Sequence, residues 1–375
     1  MLNYEDGDIK NLHYGLIHSG LPTLIDLKRD TMPFVNETAK PKKFTLCKEG
    51  DIAFADASED TNDVAKAVEF INLDGQQVIS GLHTIHGRDN ENKTVLGFKG
   101  YAFASSAFHN QIRRIAQGTK IYSISSKSFD EVFISIPNKA EQTKIARLLH
   151  LIDERIATQN KIIDNLQSLI KGLNDSFHDN EQGEAISFDE LGHSYSGLSG
   201  KSGDDFGQGR PYITYLNVFH NNVIDEEQIG LVNVDANESQ NTISYGDILF
   251  TLSSETPEET GISSVYLGQS DKYYLNSFCF GVRITQPNKV YSPYLAHLVS
   301  SSQFRRFVYP LAQGSTRFNL QKNDFMKKKF MLLPIEKQKE ISKTLDTLHN
   351  KLSVECTLID FYRKQREYLL RSLFI

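Results

Sequence analysis

The chain has 375 residues, 39% of them hydrophobic and 23% charged, with a formal net charge of −6 and no Trp. That length predicts two domains with connectors, and with no run of 18 apolar residues a transmembrane helix is not expected. The opening "MLNYEDGDIK" carries no apolar signal-peptide stretch, and Cys47, Cys279 and Cys356 are isolated and odd in number, which fits a reducing cytoplasm and offers neither a disulfide framework nor a zinc site.

In chain order, residues 1–137 read as a first globular segment. "KNLHYGLI", "GDIAFAD", "QQVISG" and "FDEVFISIP" have a short β-rich pattern, with "YAFASSAFHNQIRRIAQG" among them. Residues 138–178 change to a heptad seam: Ile145, Leu149, Ile152 and Ile156, a polar Gln159 where a seam residue belongs, then Ile163, Leu166, Ile170 and Leu173. Residues 187–334 return to strands in "RPYITYLNVF", "GDILFTL", "SSVYLG", "SFCFGVRITQ" and "FMLLP", with "SPYLAHLVSSSQFRRFVYPLA" as one or two helices. Residues 335–375 form a second seam of Ile341, Leu345, Leu348 and Leu352, a polar Glu355, then Ile359, Tyr362, Leu369 and Leu373. The seams predict two helices, each about 50 Å long at 1.5 Å per residue, packed as an antiparallel coiled coil. The alternative is that each helix packs on its own globular segment.

The two halves repeat. A shift of 196 positions carries "AQGTKIYSI" at Ala116 onto "AQGSTRFNL" at Ala312, and Gly50-Asp51-Ile52 onto Gly246-Asp247-Ile248. It also carries Ser58-Glu59 onto Ser254-Glu255, Phe54 onto Phe250, Phe129 onto Phe325, Gln142 onto Gln338 and Ile145 onto Ile341. A period of this size means two domain-sized copies. The expected fold class is therefore α+β, with two pseudo-symmetric domains separated by two long helices. Charge is also distributed in parallel. Ser187–Asp271 has 2 basic and 14 acidic residues and Lys272–Pro334 has 10 and 1; Met1–His83 has 8 and 14 and Thr84–Pro137 has 7 and 4. A basic later part of each copy can attract phosphates whatever the total charge, or it is only a solvated face.

No catalytic constellation is visible. "GLSGKS" resembles a phosphate loop, but Tyr195 stands where its first Gly belongs. No Gly-rich cofactor loop follows a strand, the tetrapeptide of amino-methyltransferases is absent, and the 11 histidines show no metal-ligand spacing. His13, His18, His83 and His86 read as surface or contact residues. No metal is expected. A free-standing DNA-modifying enzyme therefore has little support, and a coiled-coil scaffold that binds only proteins leaves the duplicated basic parts unexplained.

The arm motifs "IPNKAEQTKIARLLHLIDERI" and "LPIEKQKEI", with "GLSGK", "YITYLNV", "GDILF" and the paired "AQGT"/"AQGSTR" loops, resemble the specificity subunit of type I restriction-modification enzymes. The resemblance covers nearly the whole chain. It implies a non-catalytic cytoplasmic subunit binding double-stranded DNA, with two target-recognition domains that each read half of a split target and helices that set the gap. It implies two modification subunits, which hold S-adenosylmethionine and methylate adenine, with restriction or translocase subunits as further partners. No cofactor is expected in this chain. About 20 residues, Ser187–Gln208, have no counterpart in the first copy, which begins almost at once with "GDIKNLHYGLI"; a shortened or truncated first domain is expected.

Under that resemblance the doubled loop is the first candidate for DNA contact: Gln117, Gly118, Thr119 and Lys120, with Gln313, Gly314, Ser315, Thr316 and Arg317. Gly beside small hydroxyls lets backbone approach a phosphate, and Lys120 or Arg317 adds charge. The alternative is a turn after a helix with Gly as its C-cap. Lys201 is a further DNA candidate. Base-reading candidates are His13, Tyr14, Ser58, Tyr212, Tyr215, Asn217, Ser253 and Ser254.

Overall fold

The computed structural model describes residues 2–3, 7–35, 43–180 and 183–374. They divide into two compact units, Met1–Lys161 with Cys356–Ile375, and Ile162–Glu355. Each unit thus contains one globular domain and stretches of both long helices.

In the first unit, Ile52–Ala55 pairs antiparallel with Ala67–Asn72 and with Thr84–Gly87, and Leu24–Asp26 joins Ala67–Asn72 in parallel. In the second unit, Ile248–Thr251 pairs in the same way with Ser263–Val265 and Cys279–Ile284. There Gly192–Ser196 adds a further strand outside Cys279–Ile284. That strand lies in the stretch without a counterpart, and among the described residues the first unit has no equivalent of it. The repeated residues turn out to be scaffold. The rings of Phe54 and Phe129 lie 4.6 Å apart, and those of Phe250 and Phe325 lie 4.8 Å apart.

Three expected strands need correction. "KNLHYGLI" and "RPYITYLNVF" are not continuous strands: Ile9–Leu12 gives way to the helix Tyr14–Ser19, and Phe206–Ile213 to Tyr215–His220. The reason is capping. The His13 side chain accepts the Gly15 amide and the Thr214 side chain accepts that of Asn217, which starts a helix inside an apolar run. Likewise "VFISIP" is not a strand. Its equivalent, Phe330–Leu332, pairs with Glu184–Ile186, whereas Phe133 has its amide and carbonyl bonded by the Gln111 side chain instead.

The long helices span Lys139–Asn180 and Ile335–Ser372, 42 and 38 residues. At 1.5 Å per residue they are about 63 and 57 Å long, more than the seams alone suggested. They run antiparallel. In the first unit Ile145, Ala146 and Leu149 share a core with Leu370 and Phe374, and Asp153 accepts from Arg366 Nε at 2.5 Å. In the second, Ile170 and Leu173 share one with Ile341, Leu345, Leu348 and Leu352. The same clusters include Phe98 and Tyr101, and Tyr294 and Leu295, so each helix also packs on its own domain. Within the seams, Ile152, Gln159, Leu166 and Ile359 are buried, while Ile156, Ile163 and Glu355 are half-buried.

The "EQ" of each arm motif is a clamp. Buried Gln142 accepts the Val95 amide and donates to the carbonyls of Lys93 and Pro137. Buried Gln338 accepts the Tyr291 amide and donates to those of Lys289 and Leu333. All three partners keep the 196-residue shift. Each glutamine satisfies backbone groups that would otherwise be buried without a partner.

Candidate nucleic-acid interface

The doubled loop is a β-hairpin tip in both units. Gln117 and Ser123 exchange backbone bonds at 3.0 and 2.8 Å, and Gln313 pairs with Asn319. Tyr122 and Ser123 pair onto Ser58 and Ala57, as Phe318 and Asn319 pair onto Ser254 and Ser253. Residues 117–121 and 313–317 are all exposed. Gly118 and Gly314 have φ of 138° and 149°, and a Cβ on either would fall about 2 Å from the carbonyl oxygen of Ile121 or Arg317. The glycines are therefore demanded by the hairpin itself. Neither is a helix C-cap, because the preceding helical turns end at Ile115 and Leu311, with Ala116 and Ala312 as their caps.

This register keeps the 196-residue shift and sets the two cations at different places in the two turns. Gly118 faces Ile121 and Gly314 faces Arg317, so Ile121 is the equivalent of Arg317 and Lys120 that of Thr316. The hairpins share a backbone and differ in chemistry.

Beside each hairpin lies the N-terminus of a short helix. Tyr14 packs edge-on against His83, with ring centroids 5.3 Å apart, and His18 bonds the Ala57 carbonyl through Nε2. In the second unit Tyr215 stacks on Phe219 and its hydroxyl donates to the Ser253 carbonyl at 3.0 Å. The amides of Asp56 and Leu252 donate to the carbonyls of His83 and Phe278, which makes His83 and Phe278 equivalent. Both are exposed, and sequence reasoning missed Phe278. In the second unit these parts line an open concavity of about 360 Å³ that includes Tyr215, Ser253, Ser254, Phe278 and Arg317.

The structure thus gathers His13, Tyr14, Ser58 and the first hairpin in one place, and Tyr215, Ser253, Ser254 and the second hairpin in another. Ser254 is itself buried and donates to Glu259. Three candidates fall outside these patches. Asn217 is fully buried: its amide group donates to the carbonyls of Asp225 and Gln228, and its oxygen accepts the Asp225 amide. It holds a loop and is not placed to read a base. Lys201 is paired with Glu238 at 2.6 Å, and only a single 3-10 turn, Gly203–Asp205, follows its loop, capped by Ser202 and Asp205. Tyr212 packs on Phe206 within its own sheet.

The basic run Lys272–Pro334 is mostly consumed by structure. Arg283, Lys289, Arg306 and Lys329 pair with Asp247, Glu184, Asp179 and Glu190, and Arg305 and Lys328 donate to backbone carbonyls. Neither Arg317 nor Lys120 is in an ion pair among the described residues.

Cys47, Asp51 and His86 also converge, with their ligand atoms within 4.8 Å of one another, a grouping that spacing did not reveal. The Arg88 guanidinium already occupies Asp51 at 2.6 and 2.8 Å, and it also donates to the Leu46 carbonyl. Burial would raise the Asp51 carboxyl, but the bonds from Arg88, the Lys48 amide and His86 outweigh it and hold it below the usual carboxylate range. The second unit repeats the latch: Asp247 accepts from Arg283, which donates to the Thr242 carbonyl, while Tyr195 replaces His86. Ile243 stands where Cys47 does. The repeated element is the ion pair, and its chemistry is structural.

Residues 80–168 and 198–360 match the model of the type I restriction modification DNA specificity domain. The chain is similar in structure to the S subunit of a type I restriction-modification system from M. genitalium, with a TM-score of 0.54 and 15% identity over 100% of this chain and 90% of that one. It is also similar to a chain from a study of complex assembly and conformational transition of the type I R-M system, with a TM-score of 0.60 and 14% identity over 97% and 91%. No curated protein sequence matches it. Among the described residues no helix is long and apolar enough to cross a membrane.

Proposed function

The chain belongs to the type I restriction-modification DNA specificity family, and from that premise we propose that it is the DNA-reading subunit of a complex whose chemistry lies in other chains. Each domain reads one half of a split target, and the helices set the gap between the halves. Two modification subunits supply S-adenosylmethionine and methylate adenine; restriction or translocase subunits are further partners.

The observation that carries this reading is the duplicated patch: one exposed hairpin, one capped helix and one serine-bearing strand, built twice on the same backbone plan. A protein that grips two stretches of duplex needs the same positioning tool at two places, with different side chains where sequence is read. The backbone shared by the two hairpins, exposed at 117–121 and 313–317, suits phosphate contact. On the helices, Leu148, Leu151, Phe361 and Tyr368 are exposed apolar surface suited to the modification subunits.

The test is methyl transfer from labelled S-adenosylmethionine to duplex DNA. The pure chain should transfer none, its cognate modification subunit alone should not select a sequence, and the two together should methylate one target. Transfer by the pure chain would overturn the reading.

A further inference from the structure

The equivalence of Arg317 with Ile121 has a consequence for what Arg317 does. If its guanidinium were part of the shared grip on phosphates, the first hairpin should carry a cation at the same place. It carries an exposed Ile instead, on the same turn, with the same Gly and the same strand pairing. Where two copies keep a backbone and exchange a side chain, the side chain belongs to what differs between the half-sites.

The surroundings of Arg317 point the same way. It lines the concavity with Tyr215, Ser253 and Phe278, and Glu255 and Glu259 line it too. A phosphate there would meet two carboxylates for one guanidinium, which disfavours an anion. A base edge carries no net charge, and its amino groups are compatible with carboxylates. Six of the other basic residues of this stretch are spent on carboxylates or carbonyls, whereas Arg317 is exposed and in no ion pair among the described residues. Its planar fork of donors is available, and the group that fork matches on a base edge is the O6/N7 acceptor pair of guanine in the major groove.

We propose that Arg317 reads a guanine at one position of the half-site bound by the second domain, and that Ile121 leaves the corresponding position of the other half-site without such a contact. This rests on the chain being a DNA-reading subunit.

The test uses the full chain assembled with its modification subunits and maps methylated adenines by single-molecule sequencing, for the wild type, Arg317→Ile and Arg317→Lys. The wild-type target should contain a guanine in one half-site that both variants cease to require, with the preference falling about 10-fold or more. The other half-site should stay unchanged, which also reports that the variants fold. Arg317→Lys keeps the charge and loses the fork, so it should relax the same position. Reduced methylation of all sequences alike, rescued by Arg317→Lys, would make Arg317 a phosphate contact and overturn the proposal. An unchanged target, or a wild-type half-site with no guanine on either strand, would overturn it too. If the wild-type complex methylates no split target, the functional reading itself fails, and that result is distinct from the others.

Discussion

At the scale of single residues, the sequence shows that a glycine is needed in each hairpin but not why. A Cβ on Gly314 meets the Arg317 carbonyl, and the positive φ adds strain of about 1–3 kcal/mol for any other residue. Gly314→Ala should therefore weaken DNA binding by displacing the hairpin, while Thr316→Ala on the same exposed turn should leave thermal stability unchanged; melting curves and a DNA titration read both. Asn217 teaches the opposite lesson. A polar residue at the start of a helix looks the same in sequence whether it faces a ligand or satisfies its own backbone. Its bonds to Asp225 and Gln228 show the second case, so Asn217→Ala should strand several buried groups and cost roughly 3 kcal/mol of stability. Denaturant unfolding checks this; an unchanged midpoint with a relaxed target would return Asn217 to base reading. The offset between Lys120 and Arg317 is already given by the 196-residue shift, and the Gly-to-carbonyl contacts show that the two turns keep that register.

At the scale of elements, the long helices were legible because a heptad seam repeats many times and each repeat reinforces the last. Short strands have no such redundancy, and one capping side chain, His13 or Thr214, converted half of an apolar run to helix. The glutamine clamps were visible as a matched pair, but their partners lie in loops that sequence does not join to them. Gln338→Leu should leave the Tyr291 amide and the Lys289 and Leu333 carbonyls unanswered, costing about 3 kcal/mol, with Gln142→Leu behaving alike. Differential scanning calorimetry should show the loss. The repeat also supplies its own control for a buried ion pair. Fully buried Glu69 accepts from the Gly97 and Gly100 amides and meets Lys99 at 3.3 Å, while the equivalent positions of the second unit are Val265 and Leu295. Glu69→Val alone should destabilise by about 3–5 kcal/mol by leaving the Lys99 ammonium without its carboxylate, with the Thr94 hydroxyl still bonded at 2.8 Å; adding Lys99→Leu should recover most of that loss. A double variant as unstable as the single one would show that the two glycine amides, and not the charge, decide the cost.

At the scale of the whole molecule, the second unit carries an acid liability. Burial lowers the pKa of His178, His297 and His349. His297 bonds Asp346 at 2.7 Å and stacks on His349, while His178 takes the Tyr294 hydroxyl at 3.0 Å. A histidine with a lowered folded pKa binds protons more readily unfolded, so its contribution is present above about pH 6.5 and is lost as pH falls through the folded value. The second unit should therefore lose stability below about pH 6.5, and His178→Gln with His297→Gln should flatten that slope, which equilibrium unfolding at stepped pH would measure. The two-copy architecture was legible at this scale because the collinear repeat is scaffold: the Asp–Arg latches, the clamps and the stacked phenylalanines. What each copy reads was not legible, because the residues that differ carry no repeat to mark them. Two separate readers of DNA on one chain should leave two footprints, and hydroxyl-radical footprinting of the chain with its modification subunits, on duplexes selected from a random pool, measures them. One selected sequence with two specified segments around an unspecified gap is expected, and loss of specification in only one segment when the second hairpin, 313–317, is replaced by alanine-bearing sequence that retains Gly314. A single continuous specified segment, or loss of both segments from that one replacement, would contradict it.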